Sequence, residues 1–514
     1  MKRRCLVIGL DGATFDIIKP LVGRGKLPTL TRLMKEGVYG NLRSTIPPAS
    51  MPAWPSFMTG KNPGKHGVYD FLKRTPDDYI GRLTSSRDLK AQTLWKILSD
   101  SGKKCFVINV TGTYPPQKVN GCIISGMLTP EGASYVYPPS LKEELDTKGY
   151  IIFTDISGDL SADVIFQKLL SMAQKRKDVS INLMKKFDWD FFMVLFIGTD
   201  TIQHHLWGDE ERIFEYYEQI DKIVGELLQN TGENTNVIIL SDHGFGPLKK
   251  MFNINIWLRQ KGLLKCKPTE PPSTRTYKIS KLRKRKQKTV IPLYRLKFTT
   301  QIIESLNQKL RLKLPHLIKR RFTLLKKKNI GIDWSKTKVA LCSFFGTETQ
   351  SIMVNLKDRE PKGIVDPREY KGLRKVVVEE LRKLKDPQTD RKIVKEVFTK
   401  EELYHGPYLQ DAPDLVMLLY GEYKASNTLN AKNIVSSIDG MNGSHRLNGI
   451  FMAKGPDIAK GKQIMNAQII DITPTILHLM GIKIPDDMDG NVLREIFAEH
   501  IDQDNIFMRY HPLI

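Results

Sequence analysis

Short apolar runs recur along the chain: CLVIGL (5–10), KCFVINV (104–110), CIISG (122–126), FFMVLFIG (191–198), NVIILSD (236–242), DLVMLL (414–419) and GIFMAKG (449–455). Most lack polar alternation and stop at Gly or Asp, the pattern of strands buried on both faces. Between them lie LPTLTRLMKEG (27–37), QTLWKILSDSG (92–102), SADVIFQKLLSMAQKRKDVSINLMKKF (161–187) and ERIFEYYEQIDKIVGELLQ (211–229), with apolar residues at helical spacing. Strands alternating with helices predict an α/β fold, with a mostly parallel central sheet covered by helices on both faces. Such sheets bind ligands beyond the carboxyl ends of their strands.

The alternation breaks near Lys250, where PTEPPSTRTYK (268–278) opens a basic stretch. The expected organisation is therefore a core in two parts, 1–250 and 343–514, with 251–342 inserted as a basic cap. Net charge is +24, and between Arg275 and Lys328 stand 19 Lys and Arg against one acid, Glu304, so this segment carries 19 − 1 = +18. Within it Ile302, Ile303, Leu306 and Leu310 fall at helical spacing among cations. That pattern fits an amphipathic helix on an anionic membrane, and equally a cap helix packed on the core. Nucleic acid is the less favoured partner, because the aromatic interleaving of a base-stacking surface is missing.

The remaining bulk properties narrow the setting. The chain has 514 residues with 40% hydrophobic and a mean hydropathy of −0.31, as expected of a globular soluble protein. The first apolar run ends at Asp11, too short for a signal-peptide core or a membrane span, and no other run is long enough to cross a bilayer. Cys5, Cys105, Cys122, Cys266 and Cys342 are scattered without CxxC spacing. They predict a reducing, cytoplasmic setting with no disulfide frame and no cysteine metal site.

Candidate chemistry gathers where the strands end. GLDG gives Asp11; GTDTIQHH gives Asp200, with His204 four residues on and His205 beside it; SDHGF gives Asp242 and His243; GSHRLNGI gives His445. An interval of four puts Asp200 and His204 on one helical face, able to grip one metal ion. In STIPPASMPAWPSFMTG (44–60) the prolines hold Ala49 to Met51 in a constrained turn presenting Ser50, and Pro52 suits the first turn of a helix. Singly, each feature has a plain structural explanation, a helix cap or a satisfied histidine. His66, His316, His405, His478, His500 and His511 are assigned to that class. Together, six nitrogen and oxygen ligands plus Ser50 suit two divalent ions about 4 Å apart, the arrangement used for in-line phosphoryl transfer.

These motifs resemble the alkaline phosphatase superfamily, and within it the type I phosphodiesterase/nucleotide pyrophosphatase family. The resemblance rests on GLDG, Ser50 nine residues before the TG of FMTGKNPGKHG, DTIQHH, SDHGF and GSHRLNGI, and spans roughly residues 1–260 and 340–495. It implies one metal held by Asp200, His204 and His445, and another by Asp11, Ser50, Asp242 and His243, most naturally Zn²⁺, with Mn²⁺ or Fe as alternatives. It also implies Ser50 as nucleophile, attacking a phosphodiester or pyrophosphate of an anionic small-molecule or lipid substrate, with water then hydrolysing the phosphoseryl intermediate.

The sequence departs from the family at two points. An Asn that donates to phosphate oxygen is usual three residues after the nucleophile; Ala53 stands there, so that donor must come from elsewhere. No arginine closely follows Ser50, which favours a diester over a phosphomonoester and, with Trp54 at the arginine position of sulfatases, argues against sulfatase chemistry. A phosphomonoesterase or a phospho-headgroup transferase is the alternative within the superfamily. A non-catalytic protein binding polyanions or membrane surfaces through the basic segment is the alternative outside it.

Overall fold

The computed structural model describes residues 3–75, 77–156, 160–267, 331–341, 350–499 and 509–510. The basic segment 275–328 with its apolar positions 302–310, and Cys342, His316, His500 and His511, lie outside the described residues.

A nine-stranded sheet forms the centre, in the order Lys462–Gln468, Val38–Arg43, Asn448–Lys454, Thr235–Leu240, Arg4–Leu10, Phe191–Phe196, Cys105–Ile108, Gly121–Ile124, Val136–Tyr137. Only Asn448–Lys454 and Val136–Tyr137 run against the others. The three middle strands, Thr235–Leu240, Arg4–Leu10 and Phe191–Phe196, are mutually parallel and buried almost throughout. Their unbroken apolar sequence is what two covered faces require. The mixed α/β architecture, with a mostly parallel sheet and helices on both faces, is the predicted one. Of the seven predicted strands six lie in this sheet, and DLVMLL lies elsewhere, as Leu415–Leu419 of a four-stranded antiparallel sheet.

That smaller sheet, with helix Pro367–Arg382, builds a second hydrophobic core that includes Trp257, Leu258, Ile332, Trp334, Ile352, Leu381 and Met417. The described parts of 251–342, including helix Ile254–Gln260 and strand Val339–Leu341, belong to it. A three-stranded sheet, Tyr423–Ser426, Gly244–Asn253 and Val435–Arg446, ties the second core to the first. Its antiparallel register pairs Phe245 with His445 and Gly244 with Arg446, so one end lies at the carboxyl edge of the central sheet.

Candidate active site

Asp11 follows strand Arg4–Leu10, and Asp242 and His243 follow Thr235–Leu240, two adjacent parallel strands. Asp200 and His204 lie on helix Gly198–Leu206, which follows Phe191–Phe196 on the other side. Ser50 is the first residue of helix Ser50–Thr59, reached from Val38–Arg43, and His445 lies near the end of strand Val435–Arg446, which leads into the strand Asn448–Lys454 that pairs with Val38–Arg43. Parallel topology thus brings five distant segments to one sheet edge. Ser50 begins the helix rather than standing in a turn before it, so Pro52 sits in the first turn, where its missing N–H costs no helical bond.

The predicted residues form one contiguous cluster. Ser50 Oγ lies 3.5 Å from Asp11 Oδ1 and 3.4 Å from His243 Nε2. His243 Nε2 is 3.7 Å from Asp11, 3.5 Å from Asp242 and 4.0 Å from Asp200. Asp200 Oδ1 is 3.4 Å from His204 Nε2 and 3.2 Å from His445 Nε2. The His243 and His445 rings stack with centroids 3.6 Å apart. His205 is exposed.

Electrostatics make the cluster incomplete as a set of protein groups. Burial pushes the Asp11 carboxyl well above the usual carboxylate range, and the charges of Asp242 and Asp200 add to the shift. Burial works upward on Asp200 too, but the imidazoles of His204 and His445, when they carry charge, outweigh it and hold that carboxyl low. Burial lowers the His243 imidazole. Tautomers follow from the partners: His243 Nδ1 faces the Gly244 carbonyl at 3.0 Å and His445 Nδ1 faces the Pro48 carbonyl at 2.9 Å. A carbonyl only accepts, so each Nδ1 carries the proton and each Nε2 turns a lone pair inward. His204 Nε2 nevertheless lies 2.9 Å from His445 Nε2, and Asp200 Oδ1 and Asp242 Oδ2 are buried with no hydrogen-bond donor among the described residues. Lone pairs and carboxylate oxygens converging in this way fit divalent cations. Among the described residues two groups have the compactness a metal needs, Asp200, His243 and His445, and Asp11, Asp242 and His243, with ligand atoms within 4.8 Å of one another.

Some functional contacts escape sequence reasoning. Trp54 Nε1–H donates to Asp11 Oδ2 at 3.0 Å; its interval of four from Ser50 on one helix was the available signal. The Ser241 hydroxyl donates to the Ala13 carbonyl and accepts from Ile450 N–H, both at 2.8 Å, joining the Asp11 turn to the neighbouring strands. Ala53 is buried in the core and offers the site no donor. The NPGKHG turn, which reads as flexible, is pinned. Asn62 Oδ1 accepts from Gly64 N–H at 2.8 Å, Lys65 pairs with Asp489 at 2.5 Å, and Lys61 pairs with Asp487. A groove lined by Arg32, Val237, Lys454, Ile458 and Phe497 lies at the opposite end of the strands and shares no residue with the cluster.

The family model for type I phosphodiesterase/nucleotide pyrophosphatase matches residues 5–445. The chain belongs to that family. It is accordingly a hydrolase acting on phosphoric ester bonds in a metal-dependent family, and residues 5–445 run from the first strand to the last candidate ligand, His445. A search of the curated proteins finds no match. Among solved structures it is similar to human ectonucleotide pyrophosphatase/phosphodiesterase 5, with TM-score 0.52 and 14% identity over 96% of this chain and 100% of that one. An inactive form of the murine counterpart, in complex with AMP, gives TM-score 0.53 and 12% identity over 97% and 100%. Phosphonoacetate hydrolase from Sinorhizobium meliloti 1021 gives 0.57 and 13% over 92% and 94%. These likenesses establish a shared alkaline-phosphatase-like fold.

Proposed function

We propose that this family member is a two-metal phosphodiester or pyrophosphate hydrolase with Ser50 as nucleophile. One ion is assigned to Asp200, His204 and His445 and the other to Asp11, Ser50, Asp242 and His243, with Zn²⁺ the best match to the nitrogen and carboxylate donors and Mn²⁺ or Fe also compatible. When bound, the ions supply Lewis acidity that stabilises the serine alkoxide and the leaving oxygen. Ser50 Oγ forms a bond to phosphorus as the bond to the leaving oxygen breaks in line, and water then cleaves the phosphoserine. Ser50 starts its helix, so backbone N–H groups free of intrahelical partners stand beside the nucleophile and favour an anionic phosphate.

The observation that carries this proposal is the convergence of five segments on the Ser50 hydroxyl. AMP in the murine neighbour makes nucleotides the first substrate class to test, followed by lipid and sugar phosphodiesters. Protein loaded with Zn²⁺ or Mn²⁺ is expected to hydrolyse bis-p-nitrophenyl phosphate and to contain two ions per chain by elemental analysis. Ser50→Ala is expected to keep the fold and lose turnover by at least about a thousandfold, the scale on which nucleophile removal acts. Full turnover in Ser50→Ala, or preference for monoesters, would sink the assignment. A reducing, cytoplasmic setting and recruitment of anionic substrates or membrane by 275–328 complete the proposal. Buried free thiols at Cys5, Cys105 and Cys122 are consistent with that setting.

A further inference from the structure

We propose that Gln203 is a positioning residue that sets the separation of the two metal positions; the inference rests on the two-metal assignment above. Gln203 lies on helix Gly198–Leu206 between Asp200 and His204 and is fully buried. Its side-chain N–H₂ donates to the Gly12 carbonyl at 2.9 Å and the Thr199 carbonyl at 2.8 Å, and its Oε1 accepts from the Tyr217 hydroxyl at 3.3 Å. Thr199 Oγ1 donates to the Asp11 carbonyl at 2.6 Å, and Ser241 holds the Ala13 carbonyl. Three consecutive carbonyls, those of Asp11, Gly12 and Ala13, are therefore each held by a different side chain from the neighbouring segments. Thr199 and Gln203 both join this turn to the helix bearing the ligands of the other ion, and Gln203 is the one that stands between those ligands, Asp200 and His204.

Approach between turn and helix is limited sterically. Gly12 has φ 65°, and a Cβ there would meet Asp200 Cα and Cβ at 3.1 Å, so the two segments already touch. Separation is limited by the Thr199 bond to Asp11 at the start of the helix and by the Gln203 bond to Gly12 one turn further on. Asp11 and Asp200, assigned to different ions, thereby keep a fixed spacing, and in-line displacement between two ions depends on that spacing.

Gln203→Met keeps the size and removes every donor and acceptor. Wild-type protein titrated with Mn²⁺ is expected to bind two ions and give the electron paramagnetic resonance spectrum of an exchange-coupled pair. Gln203→Met is expected to bind the first ion normally and the second about 10–100-fold more weakly, with altered coupling and reduced kcat at an unchanged KM. Gln203→Glu, which can still accept from Tyr217 but has lost the amide donor, is expected to follow the methionine variant. Both ions bound at wild-type affinity with unchanged coupling in Gln203→Met would overturn the inference. A wild-type protein that binds fewer than two ions would instead overturn the two-metal assignment. Should Gln203→Met fail to fold, Tyr217→Phe carries the same readout: it frees Gln203 Oε1 and weakens the second ion several-fold, and unchanged affinity and coupling there refute the positioning role.

Discussion

Trp54 is at once a core residue and a hydrogen-bond partner of the candidate ligand Asp11. Its ring is fully buried and packs edge-on against Phe57 at 5.7 Å, while its N–H reaches Asp11. Trp54→Phe keeps most of the buried volume and leaves Asp11 Oδ2 without that donor. An orphaned buried acceptor costs about 1–3 kcal/mol, and loss of support behind a metal ligand typically costs about 10–100-fold in affinity or activity. The variant is expected to fold, to bind Mn²⁺ more weakly and to lose kcat/KM by that factor, measured by titration and steady-state kinetics; wild-type values would show the contact to be packing alone. This residue also marks what sequence reading could reach. Asp11, Asp200, Asp242 and His445 were legible because each stands where an apolar run meets a Gly-rich or polar turn. An indole in an apolar helix reads as core, and its second role depends on a partner 43 residues away.

At the scale of elements, the fully buried strands were legible and the partly exposed ones at one margin were not. At one margin of the sheet, Val38–Arg43 alternates buried with partly or fully exposed positions and the outermost strand, Lys462–Gln468, buries only Ile464 and Ala467, so neither shows a continuous apolar run. Strand direction was equally hidden: GIFMAKG is as apolar as its neighbours but runs antiparallel between Thr235–Leu240 and Val38–Arg43. The turn after helix Ser50–Thr59 shows how a short element is held. His66 is buried there, with Val68 N–H donating to Nδ1 at 3.2 Å and Nε2 3.0 Å from Ser56 Oγ. Nδ1 must then be bare and Nε2 protonated, so a second proton on the ring would meet an N–H donor. Burial accordingly pulls the imidazole down to about 3. The folded value lies below the unfolded one, so stability is complete above the ordinary histidine value and declines as pH falls from there towards about 3. Between pH 7 and 5.5 this group should remove about 1 kcal/mol. Urea unfolding of wild type and His66→Gln at both pH values tests this: the variant should be less stable at pH 7 and lose about that much less on acidification. Equal acid losses would place the titration elsewhere.

For the whole molecule, the described residues on either side of 268–330 are paired with each other. Cys266 and Ile332 form an antiparallel bridge, Lys267 N–H donates to the Gly331 carbonyl at 2.8 Å, and Asp333 N–H to the Lys265 carbonyl at 2.9 Å. Beside this pairing Trp334 stacks on Tyr79 of strand Asp78–Leu83, with centroids 3.7 Å apart, tying the second core to the hairpin beyond the Ser50 helix. Because 267 and 331 are hydrogen-bonded neighbours, an Asn-Gly turn can join them in place of 268–330. Closing so short a loop relieves on the order of 3 kcal/mol of chain entropy, so thermal stability should not fall. The excision removes 275–328, which carries +18 of the net +24. If that charge recruits substrate, the shortened enzyme should hydrolyse bis-p-nitrophenyl phosphate at the wild-type rate. It should lose both its activity on diesters presented in anionic vesicles and the salt sensitivity of that activity, since exposed charges act over roughly 10 Å at 0.1 M salt. Equal loss on the small diester would instead give the segment a part in the chemistry at Ser50, and full retention on vesicles would leave recruitment to the mildly basic remainder of the chain.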